Sequence, residues 1–361
     1  MDGAQRNPIL RTDPFQTETP AELKREQHMH LFRFTLASAF CMMTTFAQAA
    51  GFRFITVPAD AGLPAFQAAV WSPCQEQAGE VKLRTITLPA TRDCAVSGDK
   101  LPLIVISHGY GGSFIGHHDT AEVLADAGFV VVALDHPVDA GGGDMSRADT
   151  LAALTERPAD ITRLIDHMLT AWSDHAKLGR DHVGFFGFSR GGYTGLVVAG
   201  ANPDLRKAIA LCPENSPKPS CAELRRNEIP AQALAHDPRV KALVVADPAF
   251  GPLFDREALK DVKIPIQLWA SALSGDDKTG GEVTLDYVSL IERDLPVRSD
   301  YHLVPNAGHY AFLPPCTPDL AKKRPDICTD RPGFDRAAFH DQLNAAALAF
   351  FRTHLAGTDR P

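Results

Sequence analysis

The 361-residue chain lacks a basic run, an internal repeat and a low-complexity tract. The missing basic run, with a formal net charge of −8, argues against a nucleic-acid partner. The missing repeats exclude solenoids and arrays. No CxxC pair or close Cys/His cluster is present, so a metal site is not expected. The main N-terminal apolar run, Phe34 to Phe46, is too short to span a bilayer comfortably, so stable membrane insertion is not expected. No linker composition divides residues 50–361, which favours a single domain. The remaining composition, 22% charged and 45% hydrophobic, is that of an ordinary globular protein.

Residues 1–28 are polar and aperiodic. Met29-His-Leu-Phe-Arg33 then leads into the apolar run, and Ala47-Gln48-Ala49 closes it with small residues at cleavage spacing. This is the pattern of a secretory signal peptide. Residues 1–49 are read as a leader cleaved near Ala49/Ala50, giving a secreted or periplasmic product. Of the seven cysteines, only Cys41 falls in the leader. The even remainder in an exported chain suggests disulfides, and sequence proximity favours Cys74–Cys94, Cys212–Cys221 and Cys316–Cys328 among fifteen pairings.

Short strand-like runs occupy Gly51–Val57, Ala65–Trp71 and Val81–Leu88. After Leu101, strands alternate with helices. Leu103–Ile106, Phe129–Leu134, Val183–Phe188, Val240–Ala246, Ile264–Trp269 and Tyr301–Val304 read as strands. Asp119–Ala127, Pro158–Leu169 and Phe334–Leu355 read as helices. Continuous apolar strands between helices imply an α/β fold with a mostly parallel sheet covered on both faces. Residues 201–236, with two cysteines and several prolines, read as an insertion above that sheet. Leu205–Leu211 within it fits either helix or strand.

The chemistry concentrates at Gly187-Phe-Ser-Arg-Gly-Gly192, which ends a buried strand and opens the helical stretch Gly192–Ala199. That context fits a nucleophile elbow with Ser189 exposed at its tip. A serine needs a base. His309, after the last strand, holds the place expected in the order Ser, acid, His. Among the other histidines, His302 reads as structural, and His117, His118 and His136 as residues that could line a site. Asp247 ends its strand directly and is the preferred acid, with Asp276 the alternative and Asp277 beside it. The oxyanion hole is expected from the N–H groups of Arg190 and of Tyr110, in the loop His108-Gly-Tyr-Gly-Gly112. Phe114, Phe188, Phe250, Tyr310 and Phe312 flank the motifs and could form an apolar acyl or alcohol pocket, each being equally readable as core. No cofactor is expected.

Ser107-His-Gly-Tyr-Gly-Gly112, Asp135-His-Pro137, Gly187–Gly192, Ala246-Asp-Pro-Ala249, Val304-Pro-Asn-Ala-Gly-His309 and the tail Ile327-Cys-Thr-Asp…Gly333-Phe-Asp-Arg336 together resemble the exported bacterial α/β-hydrolases of the predicted dienelactone hydrolase group. Those are related to platelet-activating-factor acetylhydrolases. The resemblance spans about residues 51–355. It implies an α/β-hydrolase fold, with antiparallel strands at the N-terminal edge, and a serine carboxylic-ester hydrolase. It also maps the acetylhydrolase triad acid onto Asp247, whereas other relatives place it near Asp276. Dienelactone hydrolases proper are usually cytosolic and use cysteine, so the serine and the export signal point elsewhere. A lactonase, a peptidase or a non-catalytic binding protein would share the fold. The natural ester and the oligomeric state are not readable.

Overall fold

The computed structural model describes residues 50–60, 62–83, 86–273 and 285–355. The expected leader and the carboxylates Asp276 and Asp277 lie outside the described residues. Eleven strands are described: β1 Gly51–Val57, β2 Phe66–Ser72, β3 Val81–Leu83, β4 Ile86–Leu88, β5 Thr91–Arg92, β6 Leu101–Ser107, β7 Val130–Leu134, β8 Leu178–Phe188, β9 Val240–Ala246, β10 Ile266–Ser271 and β11 Asp300–Val304. The described helices are α1 His118–Asp126, α2 Ala152–Thr170, α3 Arg190–Val198, α4 Pro219–Arg225, α5 Arg256–Leu259, α6 Leu285–Asp294, α7 Pro318–Lys323, α8 Pro325–Cys328 and α9 Arg336–Leu355.

Nine strands form one sheet in the order β11-β10-β9-β8-β6-β7-β2-β1-β5. From β7 to β11 every pairing is parallel, and β2 turns antiparallel to both β7 and β1. The alternation of side chains along each strand divides the core in two. In β6, Leu103 and Val105 join Ile161 and Leu164 of α2 and Leu196 of α3 on one face. Ile104 and Ile106 join Leu124 of α1 and Leu343 and Phe351 of α9 on the other. The fold is that of an α/β-hydrolase, with helices on both faces of a mostly parallel sheet.

The run Val81–Leu88 is not one strand. Val81 and Leu83 are out of phase with Ile86 and Leu88, so a continuous strand would split these apolar residues between two faces. The chain instead pairs β3 with β4 antiparallel, Val81 opposite Leu88 and Leu83 opposite Ile86, apart from the main sheet. This gathers all four side chains on one face. Leu205–Leu211 is a 3₁₀ segment. The insertion around it carries α4 and the Cys212–Cys221 bridge. Cys74–Cys94 and Cys316–Cys328 are also bonded. Three disulfides point to an oxidising compartment, extracellular or periplasmic. No helix among the described residues is long and apolar enough to cross a membrane.

Helix α2 begins six residues before the expected Pro158, which lies inside it. A mid-helix proline has no N–H for the carbonyl four residues earlier, here that of Leu154. The buried Tyr193 hydroxyl of α3 donates to Leu154 O at 3.3 Å and fills that vacancy. Tyr193→Phe is therefore expected to lower the unfolding free energy by about 1–3 kcal/mol, the cost of an orphaned buried carbonyl. In a double-mutant cycle by urea denaturation, Pro158→Ala restores the helical N–H and should remove most of that loss. An equal loss in both backgrounds would show that the hydroxyl does not serve this carbonyl.

Candidate active site

Strand β8 ends at Phe188, and helix α3 starts at Arg190. Ser189 between them has φ 56° and ψ −116°, a conformation that non-glycine residues rarely adopt. The turn holds because its neighbours pack backbone against backbone. A Cβ on Gly191 would fall 1.9 Å from Ser107 O, and one on Gly187 would fall 2.2 Å from Gly191 O. Ser189 N donates to Ala246 O at 2.9 Å, and Ser189 O accepts from Ala249 N at 3.0 Å, tying the elbow to the end of β9. The glycine-rich loop after β6 folds onto the same turn: a Cβ on Gly109 would stand 3.1 Å from Ser189 Cβ.

Asp247 follows β9 and is wholly buried. Its Oδ1 accepts from Ser271 N at 2.7 Å, and its Oδ2 accepts from Ser271 Oγ. His309 opens a 3₁₀ turn beyond β11, with Nδ1 3.1 Å from Asp247 Oδ2. A carboxylate only accepts, so Nδ1 carries the proton and Nε2 keeps its lone pair. The imidazole stacks on Phe188, ring centroids 4.6 Å apart at 28°. A second imidazole steadies this turn from below. His340 of α9 faces Ala311 O with Nε2 at 3.0 Å and Asp119 Oδ2 with Nδ1 at 2.6 Å. Burial alone would raise the Asp119 carboxyl, but the His340 bond and charge, together with Asn344, hold it well below the usual carboxylate range.

Beneath the glycine loop lies a buried ionic brace. Arg157 of α2, fully buried, reaches Asp139 Oδ1 at 2.5 Å, Ser107 Oγ at 3.0 Å, Thr194 Oγ1 at 3.1 Å and the His108 carbonyl. The Arg190 guanidinium bonds the other oxygen of Asp139 at 3.3 Å. Ser107, His136 and Asp160 form a chain with spacings of 3.0 and 3.1 Å, which imitates a triad. All three are buried and Arg157 occupies the Ser107 oxygen, so this chain braces the fold. Burial lifts the Asp160 carboxyl to about 7 against the opposing pull of Arg163 and Arg157. Burial also keeps His136 well below its ordinary value.

Ser189, His309, Tyr110, Phe188 and Tyr310 line one cleft of 510 Å³ together with Gly109 and His117. The other proposed pocket residues lie elsewhere. Phe114 packs edge-on against Phe54, Phe312 is wholly buried against Phe339, and Phe250 lines a neighbouring cavity. Both rings pack against the apolar cluster around α1 and α9, Phe312 wholly and Phe114 partly buried. Arg190 contributes more than a backbone N–H, since its side chain lies 4.3 Å from the Tyr110 ring. His118 is a partly buried partner of Glu122, and His302 stacks on Trp269. Ser271, Arg157, Asp139 and His340 were not singled out from the sequence. Among the described residues no group of His, Cys, Asp and Glu is arranged to hold a metal ion.

The family described as the alpha/beta hydrolase fold matches residues 102–233, the stretch from β6 through the elbow into the insertion. The chain is also 27% identical over 158 residues to a Nocardia uniformis subsp. tsuyamanensis protein named as esterase NocK, covering 43% of this chain. The matched part spans 45% of that relative's length. Among solved structures, the ferulic acid esterase from Streptomyces cinnamoneus superimposes with a TM-score of 0.58 at 19% identity, covering 88% of this chain and 94% of its own. That likeness is one of fold.

Burial lowers His117 to about 3, and burial with the Arg157 charge lowers His108 to about 4. Both rings therefore stay neutral in the folded protein while the unfolded chain takes up protons below about pH 6.5. Stability is thus expected to fall as pH drops from 6.5 towards 4, by roughly 1.4 kcal/mol per unit for each ring. Both His117 nitrogens are buried without a hydrogen-bond partner, so His117→Phe should flatten that slope. Urea titrations at pH 7 and pH 5 measure it, and an unchanged slope in the variant would refute the assignment to His117.

Proposed function

We propose that the protein is a serine carboxylic-ester hydrolase working through Ser189, His309 and Asp247. The observation that carries this reading is the Asp247–His309 contact at 3.1 Å, in a cleft that also holds the strained Ser189 and the glycine loop. Asp247 directs the free Nε2 lone pair of His309 into the cleft, where it can take the Ser189 proton as Oγ attacks an ester carbonyl. The oxyanion then faces the backbone N–H groups of Tyr110 and of Arg190, the first residue of α3. His309 returns the proton to the leaving alcohol oxygen. Water, deprotonated by the same imidazole, attacks the acyl-enzyme and releases the acid. The esterase names of the similar Nocardia and Streptomyces proteins support the reaction class.

Asp276 is the rival acid, but Asp247 has the better claim, because both of its oxygens are engaged and one faces His309. The finer reading is an exported enzyme of the predicted dienelactone hydrolase group, similar to platelet-activating-factor acetylhydrolases, with its leader cleaved near Ala49/Ala50. No metal or organic cofactor enters these steps.

Ser189→Ala is expected to abolish turnover of a chromogenic ester and labelling by a fluorophosphonate, with an unchanged melting temperature. Asp247→Asn should lower kcat on the order of 10⁴-fold through the wrong imidazole tautomer. Asp276→Asn should cost far less. Wild-type turnover by Ser189→Ala would remove the nucleophile from the reading, and a large loss at Asp276 with near-normal activity at Asp247 would reassign the acid.

A further inference from the structure

The catalytic cleft has a neighbour. A second cavity of 420 Å³ is lined by Leu151 and Leu154 of the α2 region, Leu211 and Leu224 of the insertion, and Phe250 after β9. The Cys212–Cys221 disulfide forms part of its wall. Asp149 and Lys218 line both spaces, so the two adjoin across these side chains. Between them stands a small polar partition. Tyr110 Oη donates to Asp149 Oδ2 at 3.1 Å, and Arg190 reaches Asp149 Oδ1 at 3.4 Å while lying over the Tyr110 ring.

We infer that this second chamber binds the acyl arm of the ester, and that the protein is selective for apolar aliphatic or aryl acyl groups longer than acetyl. The inference rests on the ester-hydrolase reading and adds direction to it. His309 must reach the leaving oxygen, so the alcohol lies at its end of the cleft, among Tyr310, Leu313, Arg324 and Ile327. The acyl substituent leaves the tetrahedral carbon away from that oxygen. The chamber has Arg190 in its lining and adjoins the cleft at Asp149 and Lys218, and neither His309 nor any of those four residues lines it. Its volume falls in the range of small-ligand sites, and its four leucines and Phe250 offer an apolar wall to a hydrocarbon chain, beside the polar Asp149, Arg190 and Lys218. Phe250, unused by the catalytic cleft, finds its role here. The insertion acts as the chamber's outer wall, and the disulfide fixes the segment that carries Leu211 to the one that carries Leu224.

Two substrate series measured as kcat/KM separate the arms: p-nitrophenyl esters from acetyl to octanoyl, and acetates of alcohols of rising length. The wild type should gain about tenfold or more from acetyl to hexanoyl, since a buried methylene contributes on the order of tenfold. Leu224→Trp, which fills the chamber, should cut the hexanoyl-to-acetyl ratio by about tenfold or more. Leu224→Ala should shift the optimum to longer acyl groups, and it decides the matter should the tryptophan variant lose its fold by circular dichroism. The trend along the alcohol series should remain that of the wild type in both variants. An acyl ratio unmoved by the folded variants, or a response along the alcohol series instead, would overturn the inference while leaving the hydrolase reading intact. A wild type inert towards every ester would overturn the reading and the inference together.

Discussion

The contact of Gly191 with the Ser107 carbonyl is the constraint on which the rest of the site depends. It is a backbone-on-backbone packing with no room for a methyl group, and it joins the ends of two adjacent parallel strands, β6 and β8. Once β8 must turn into α3 within that space, Ser189 is forced to positive φ and its side chain stands clear of the sheet. The same approach brings the glycine loop beside the serine. The strain in such a residue costs on the order of 1–3 kcal/mol and persists only where the surroundings over-determine it. Here they do: the elbow backbone is bonded to Ala246 and Ala249, and the loop is bonded to Arg157 through the His108 carbonyl.

Arg157 shows how an interior charge can be tolerated and used. An unpaired guanidinium in the core would be untenable, and removing one partner from a buried pair commonly costs about 3–5 kcal/mol. Asp139 answers it with one oxygen and answers Arg190 with the other, so a single carboxylate ties α2 to the first turn of the nucleophile helix. The neutral His108 completes the arrangement. Its Nδ1–H serves Gly109 O at 2.6 Å, and its Nε2 accepts from His136 N at 3.2 Å. The loop expected to hold the oxyanion is thus fixed from below by Arg157, Asp139 and His136.

What the sequence reveals follows from how local each cause is. The elbow, the parallel strands and the helix of residues 336–355 depend on nearest-neighbour patterns, and they were legible to within a few residues. The three disulfides were favoured by proximity alone, because each closes a loop of 9 to 20 residues. Asp247 was separable from Asp276 only by its place at a strand end. Ser271, which fills both carboxylate oxygens, is invisible from the sequence because its role exists only once β9 and β10 pair. The same holds for His340, 31 residues after His309 and joined to its turn across the α9 packing. Phe114 and Phe312 were equally readable as pocket or core, because position beside a motif says nothing about which face a ring takes, and both pack into the apolar cluster. Pro158 misled because the sequence does not show that Tyr193 replaces its missing donor.

The site is consequently held by three unlike devices. The proposed nucleophile and its loop are fixed by steric closeness at the ends of β6 and β8, which leaves little freedom short of unfolding. The proposed base sits on a single 3₁₀ turn, fixed by one carboxylate, one stacked ring and the His340 tether. Its position is therefore set by side-chain bonds that can lengthen independently of the sheet. The chamber wall is set by a covalent bridge between segments with little core of their own. In the proposed mechanism the stiff part of the molecule is the one where charge develops on a reacting oxygen, and preorganised donors are most effective there. If the second chamber takes the acyl arm as inferred, the part shaped mainly by loops and a disulfide faces the substrate's variable arm, and acyl preference can change in the insertion without disturbing the elbow.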